Sequence, residues 1–349
     1  MEKVCLSGLE SKNIQDFCKG LGFQSYRSKQ IMGWIFKKNV INFDQMNNLP
    51  LQIREMLKKH SVVINMKIHE RIVSKVDKSI KYLFELSDGE MVEGVYMKDK
   101  IGRTVCLSTQ VGCPLRCGFC ASGMVRLKRN LSASEMVGQL LLIQSDIGES
   151  IDRVVFMGMG EPFLNFDALM KAIEIIRSDW GMGIGGRKIT VSTAGIVPRI
   201  KDFAEKAGQV RLSVSLHAVD DKKRSLLMPV NRTHPLKELI ASLKQYKYIT
   251  GRRIGIEYIL FDGVNDSFED ASQLAQLVKG LAHSVNIIEY NTVDDVSYSG
   301  SERVREFMQI LREKAIPTTL RRSKGQDIHA ACGQLRAHRD KRMKSSAID

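Results

Sequence analysis

No uninterrupted apolar run in these 349 residues approaches the roughly 18 that a membrane-spanning helix needs. The opening residues (Met1, Glu2, Lys3, Val4, Cys5) lack the basic-then-apolar layout of a secretory leader. An even cysteine complement is missing as well. There are seven Cys, and in a chain without a leader a structural disulfide framework is not expected. Internal repeats and long low-complexity tracts are absent too. Acidic side chains are the scarcer charge, 39 Asp and Glu against 53 Lys and Arg, which leaves a net +14. The expectation is a cytoplasmic globular chain, long enough for a large core, whose charge suits a polyanionic partner.

That charge is unevenly spread. Residues 101–130 carry Arg103, Arg116, Arg126, Lys128 and Arg129 with no acidic side chain at all. Residues 311–346 hold ten basic and three acidic side chains, so this short stretch supplies +7, half of the excess. A solubilising surface and a nucleic-acid-binding surface both fit this distribution.

Apolar residues recur at three- and four-residue spacings over 13–19, 28–37 and, after Pro50, 51–59, which predicts helices. Residues 62–98 change to short strand-like runs with plausible turns at Asp77 and Lys78 and at Asp88 and Gly89. From about residue 103, strand candidates at 104–108, 153–157, 188–192, 211–216, 253–260, 284–290 and 318–321 alternate with helical patterns. Ser132 followed by Glu135 reads as a capping box opening one of those helices. The fold class is therefore α/β. Alternation of this kind implies parallel pairing, and a full barrel, a partial (β/α) barrel or an open doubly wound sheet all fit. The expected divisions are a helical accessory domain at 1–61, a small β linker at 62–98, a (β/α) core at 99–322 and a C-terminal segment at 323–349.

The strongest local signal is Cys113, Cys117 and Cys120, a C-x3-C-x2-C run just after a predicted strand. Structural zinc requires four protein ligands, and no fourth Cys or His stands at zinc-finger spacing. Three thiolates suit a [4Fe-4S] cluster with one iron left open for a ligand, and Phe119 would shield it from water. A second layer closes predicted strands. Gly160 and Glu161 lie in Met157-Gly158-Met159-Gly160-Glu161-Pro162, where glycines let the backbone approach a ligand closely. Ser192, Ser215, Leu216, His217 and Asn291 end other strands, and in parallel barrels such ends converge on the ligand-binding face. Cys5 and Cys18 stand alone and read as packing residues. Cys106 and Cys332 taken singly would read the same way.

The C-x3-C-x-aromatic-C run resembles the radical S-adenosylmethionine (SAM) enzymes. Together with Met-Gly-Met-Gly-Glu-Pro, Ser-Leu-His-Ala and Ala-Ala-Cys-Gly-Gln-Leu, it resembles the RlmN/Cfr family of radical SAM RNA methyltransferases from about Arg27 to Leu335. The resemblance implies a partial (β/α) radical SAM barrel behind an N-terminal RNA-binding domain. It implies a [4Fe-4S] cluster on Cys113, Cys117 and Cys120, and SAM held near Gly160, Glu161, Ser192, Ser215, Leu216, His217 and Asn291. The implied reaction methylates an adenine carbon in 23S rRNA, and in the RlmN branch also in tRNA, using two SAM per turnover. A low-potential donor such as flavodoxin or ferredoxin would supply electrons.

In that mechanism Cys332 carries the methyl group as S-methylcysteine and becomes joined to the RNA. Glu93 accepts a proton, and Cys106 releases the product through a transient disulfide. His329 stands where the family commonly has an acidic residue, and Thr292 where proline is frequent. Residues 109–113 and 321–325 look more like the RlmN branch, which methylates carbon 2, than the Cfr branch, which methylates carbon 8 and confers antibiotic resistance. A radical SAM enzyme acting on protein or small molecules, and a zinc-stabilised RNA-binding module, are the other readings.

Overall fold

The computed structural model describes residues 3–293 and 296–336. The last part of the basic stretch, from residue 337 onward, lies outside the described residues. At the N-terminus β1 (Val4–Cys5), α1 (Ser11–Gly20), α2 (Ser25–Met32) and α3 (Leu51–His60) precede β2 (Ser61–Val62). The second expected helix continues past Met32 as a wider π-type turn over Gly33–Lys37. β1 pairs in parallel with β2, a clasp that closes the two ends of the helical unit on each other.

The unit seats on the rest of the chain through backbone. A Cβ at Gly8 would lie 2.6 Å from the Ser134 Cβ and backbone nitrogen, and Ser7 Oγ donates to the Ser134 carbonyl at 3.3 Å.

Four strands then run antiparallel: β3 (Met66–Val73), β4 (Ile80–Leu86), β5 (Met91–Asp99) and β6 (Gly102–Cys106). A short pair, β7 (Gln110–Val111) and β8 (Arg129–Asn130), brackets the cysteine loop and the four-residue α4 (Ala121–Met124). The alternating part follows as α5 (Ala133–Ile147), β9 (Arg153–Phe156), α6 (Phe166–Arg177), β10 (Ile189–Thr193), α7 (Val197–Lys206) and β11 (Arg211–Ser215). Next come α8 (Asp221–Leu227), α9 (Leu236–Thr250), β12 (Ile254–Leu260), α10 (Phe268–Val278), β13 (Ala282–Glu289), α11 (Val304–Glu313) and β14 (Thr318–Arg321). The expected capping box is present, with Ser132 and Glu135 each satisfying the other's backbone N–H.

All ten long strands share one sheet, in the order β14-β13-β12-β11-β10-β9-β6-β5-β4-β3. β6 and β9 through β14 are parallel, so the predicted α/β core is a partial, open barrel. β3–β5, expected as a linker, extend that same sheet.

Side chains alternate between faces along a strand, and here the two faces differ in kind. Val154, Phe156, Ile189, Val191, Leu212 and Val214 point one way and are almost completely buried in the core. The other register holds small or polar residues (Thr190, Ser192, Ser213, Ser215, Gly255, Asn286), and on this face cavities open between the strands.

Gly8→Ala tests the seating of the N-terminal unit. Overpacking against backbone that cannot yield is expected to cost about 1–3 kcal/mol, measured as a lower midpoint in chemical denaturation. An unchanged midpoint would show that Ser134 moves aside freely.

Candidate active site

Left-handed backbone at Gly112 (φ 80°) and Arg116 (φ 53°) turns the loop after β7 back on itself. Cys113, Cys117 and Cys120 thereby reach one cavity of about 160 Å3 at the C-terminal ends of the parallel strands. Burial, reinforced by neighbouring cysteines and by Glu161, pushes the Cys113 thiol up to about 12 and Cys117 well above its ordinary value. Cys120 is raised chiefly by burial. Three thiols that burial keeps protonated need added positive charge to ionise, which is the demand an iron cluster meets. They ring a cavity instead of closing on one ion-sized point, an arrangement better matched to a [4Fe-4S] cube than to tetrahedral zinc. Phe119 lies against His217 (ring centroids 5.1 Å apart) and Phe261 (5.3 Å), which closes the loop's apolar side.

Gly160, Glu161, Ser192, Ser215 and His217 line the same cavity. Gly160 has φ 96°, and a Cβ there would meet Gln110. The Glu161 carboxylate accepts from the Thr193 hydroxyl (2.7 Å) and from the N–H groups of Ala194 (2.8 Å) and Phe163 (3.0 Å). Its pKa is nevertheless raised, because desolvation outweighs these bonds. The side chain thus bolts the turn after β9 to the end of β10. His217 Nδ1 accepts from the Ile259 N–H at 3.1 Å, so the neutral ring carries its proton on Nε2. Burial, with the Arg224 charge, lowers its pKa to about 3. Leu216 and Asn291 do not line the cavity. Leu216 is fully buried and its carbonyl accepts from Arg224 (3.1 Å), while Asn291 Nδ2 donates to the Cys332 carbonyl at 3.2 Å.

Cys332 stands where two cavities meet. It lines the cysteine-ringed one and also a second, of about 320 Å3, with Cys106, Met157, Ile288 and Arg321. Burial and the nearby Cys332 push the Cys106 thiol up to about 12, with Arg321 opposing. Arg321 Nη1 reaches Glu257 at 3.3 Å, and Cys332 is the largest cause raising the arginine's own pKa. The segment carrying Cys332 is tied along its length. Asp77 accepts from the Gly325 N–H (2.9 Å), and Asp327 accepts from the Lys75 N–H (3.0 Å). Ala121 N–H donates to the Gly333 carbonyl (2.7 Å), and Ser122 Oγ to that of Leu335 (2.6 Å).

Glu93 lines neither cavity. Buried on β5, its carboxylate accepts from the Arg336 N–H at 2.8 Å and lies 3.4 Å from Lys81. Burial raises its pKa against the pull of Lys81.

Two functional side chains escape sequence reasoning. Arg224, fully buried on α8, donates to the carbonyls of Ala194, Ser215 and Leu216. It pins the ends of β10 and β11, and its sequence setting looks like an ordinary charged surface. Glu257 anchors Arg321, and only its period-two register with Gly255 hints that it faces inward. The acid-free run 101–130 is less open than it reads. Arg103 pairs with Asp152 and Glu149, Lys128 with Glu90, and Arg129 with Asp88 and Glu135.

Residues 107–277 match the Radical SAM superfamily, and residues 4–63 match the ribosomal RNA large subunit methyltransferase N-terminal domain. The chain is 46% identical, over 95% of its length and 97% of the relative's, to a probable dual-specificity RNA methyltransferase RlmN of Thermoanaerobacter sp. (strain X514). It is 44% identical to the corresponding protein of Staphylococcus saprophyticus, over 96% of this chain and 93% of that one. A crystal structure of a radical SAM methyltransferase from Sphaerobacter thermophilus superposes with a TM-score of 0.93 at 41% identity, covering 96% of this chain and all of that one. With the cysteine-ringed cavity and these relatives taken together, the chain belongs to the RlmN family of radical SAM RNA methyltransferases, enzymes that work with a [4Fe-4S] cluster and SAM.

Proposed function

We propose that the enzyme methylates carbon 2 of an adenine in 23S rRNA and in tRNA, in the cytoplasm, through a methyl group carried on Cys332. The observation that supports this reading is the position of Cys332, shared between the cavity ringed by Cys113, Cys117 and Cys120 and the one that holds Cys106. Bound at the first cavity, the cluster and SAM supply a sulfonium methyl group and a 5′-deoxyadenosyl radical.

The chain's own residues then divide the work. Cys332 Sγ, ionised, takes the methyl group of one SAM as a nucleophile. The S-methyl group gives up one hydrogen atom to the deoxyadenosyl radical that the second SAM would supply, and the methylene carbon left behind bonds to the adenine ring; as the ring proton leaves, one electron passes back to the electron supply. Glu93 takes the ring proton; its raised pKa makes it a better base than an exposed carboxylate, provided it starts ionised. Cys106 Sγ attacks Cys332 Sγ, the S–S bond forms, the S–C bond breaks with its electron pair going to carbon, that carbon takes a proton to complete the methyl group, and the methylated base leaves; an external reductant then returns the disulfide to two thiols. Arg321 faces both sulfurs, and its charge favours the ionised form of Cys106, which burial suppresses. Flavodoxin or ferredoxin suits the electron supply. Among the described residues no helix is long and apolar enough to cross a membrane.

The decisive experiment is mass spectrometry of rRNA and tRNA digests from cells with and without the gene, against authentic 2-methyladenosine and 8-methyladenosine. Loss of 2-methyladenosine is expected; loss of 8-methyladenosine instead would reassign the target carbon. Cys332→Ala should abolish methyl transfer. Cys106→Ala should stall after carbon–carbon bond formation, so a covalent protein–RNA species should accumulate on denaturing gels. Full turnover by Cys332→Ala would disprove the carrier role. Glu93 must be ionised to accept a proton, and its pKa is raised. Activity should therefore fall on acidification at a pH above the ordinary carboxylate range, and Glu93→Gln should remove that limb with most of the rate. A wild-type-like profile in Glu93→Gln would exclude it as the base.

A further inference from the structure

Cofactor-binding residues occupy the C-terminal ends of the parallel strands. The opposite ends carry a different chemistry. On the hollow face a cation stands at or just before the start of four successive strands: Arg153 on β9, Lys188 before β10, Arg211 on β11 and Arg253 before β12. Pairing of Ser213 with Gly255 puts Arg211 and Arg253, each two residues earlier, side by side on that face. Arg187 and Arg252 flank the same opening.

Above this rim the face is built from small side chains. A closed (β/α) barrel fills its interior with bulky branched residues. Thr190, Ser213, Gly255, Ser284, Asn286 and Thr319 instead leave a cavity of about 640 Å3, within the roughly 300–1,000 Å3 range of small-ligand sites. Even a methyl group at Gly255 would come within 2.8 Å of Ser213 Oγ. The cavity runs from the arginines at its mouth to Met157 and Arg321, and those two residues also line both cavities that Cys332 joins. Its one carboxylate, Glu257, is already held by Ser213 Oγ (2.6 Å), Asn286 Nδ2 (2.9 Å) and Arg321.

Among the described residues Arg187, Arg211 and Arg253 have no ion-pair partner and are exposed. Lys188 feels Asp152, which Arg103 already holds at 2.8 Å. Cations left unpaired around a concave mouth attract a polyanion, and a polar hollow behind them can take an unstacked base.

We propose that RNA enters through this N-terminal mouth of the sheet. Backbone phosphates rest on Arg187, Arg211 and Arg253, and the target base passes up the hollow toward Met157, Arg321 and Cys332. SAM and RNA thus approach the sulfurs from opposite ends of the strands. The proposal rests on the RNA-methyltransferase reading above and adds the route and the residues that hold the polymer.

The test is RNA binding by the full-length, cluster-loaded enzyme, with a fluorescent RNA hairpin bearing a single-stranded adenine loop, titrated from 50 to 200 mM salt. Arg211→Gln/Arg253→Gln should weaken binding roughly tenfold and reduce the slope of log affinity against log salt by about 1.4, since each single-strand phosphate contact contributes about 0.7. Arg211→Lys/Arg253→Lys keeps the charge and should restore the slope. Lys201→Gln/Lys237→Gln, on the exposed outer surface of α7 and α9, should bind as wild type does. Wild-type affinity and slope in the Gln pair would overturn the route alone. So would equal losses in the Gln and Lys pairs with an unchanged denaturation midpoint, because positive charge would then not be what these positions supply. A wild-type enzyme without RNA affinity at any salt would overturn the RNA reading and the route with it.

Discussion

The period-two alternation along β9–β14 is the constraint on which everything else rests. One register is spent on Val154, Phe156, Ile189, Val191, Leu212 and Val214, which together with the covering helices form the core. At about 25 cal/mol per Å2 of apolar surface, that face stabilises the fold strongly enough for the other to remain unfilled. The opposite register can then carry serines, a glycine, a glutamate and arginines that no packed interior would tolerate. A one-residue slip in any strand would exchange the two sets.

Electrostatics inside the hollow are a contest between desolvation and pairing. Glu161 accepts three hydrogen bonds and burial still raises its pKa. Arg224 contacts three backbone carbonyls and Asn231, and burial still lowers its pKa, to about 10. Leaving a buried charge without partners costs several kcal/mol, so these polar networks leave little room for substitution. Arg321 is the exception in direction, because Cys332, Glu257 and Cys106 together outweigh its burial. The same arginine therefore belongs both to the wall of the hollow and to the environment of the two sulfurs.

Most of the fold is legible in the sequence because its elements are long and periodic. Residues 318–321 emerge as a strand with the expected limits, and Ser132 with Glu135 caps α5 as their spacing predicts. β1 is too short to have a period, and its partner lies at the far end of the helical unit. α8 depends on the Asp220 cap and on a buried Arg224 that reads as surface charge. The cysteine motif and the strand-end residues could be found locally. The bonds that place Cys332 and Glu93 could not, since Asp77 and Gly325 are 248 residues apart and Glu93 and Arg336 243 apart. Charge counting misjudged residues 101–130 for a related reason. Its acid-free look ignores Asp88, Glu90, Glu135, Glu149 and Asp152, which the fold delivers from either side.

The piece of chain bearing Cys332 is fastened at both of its ends to the antiparallel part of the sheet, by Asp77 at Gly325 and by Glu93 at Arg336. Between those pivots Asn291 holds the Cys332 carbonyl and Ala121 that of Gly333, so the segment behaves as a latched crank handle: its middle swings about the line between the pivots only once those two bonds part. Carriage of a one-carbon unit from one chamber to the next then needs neither unfolding nor domain motion. The carboxylate that serves as the far pivot is the proposed proton acceptor, so proton uptake there would also loosen the bearing on which the handle turns.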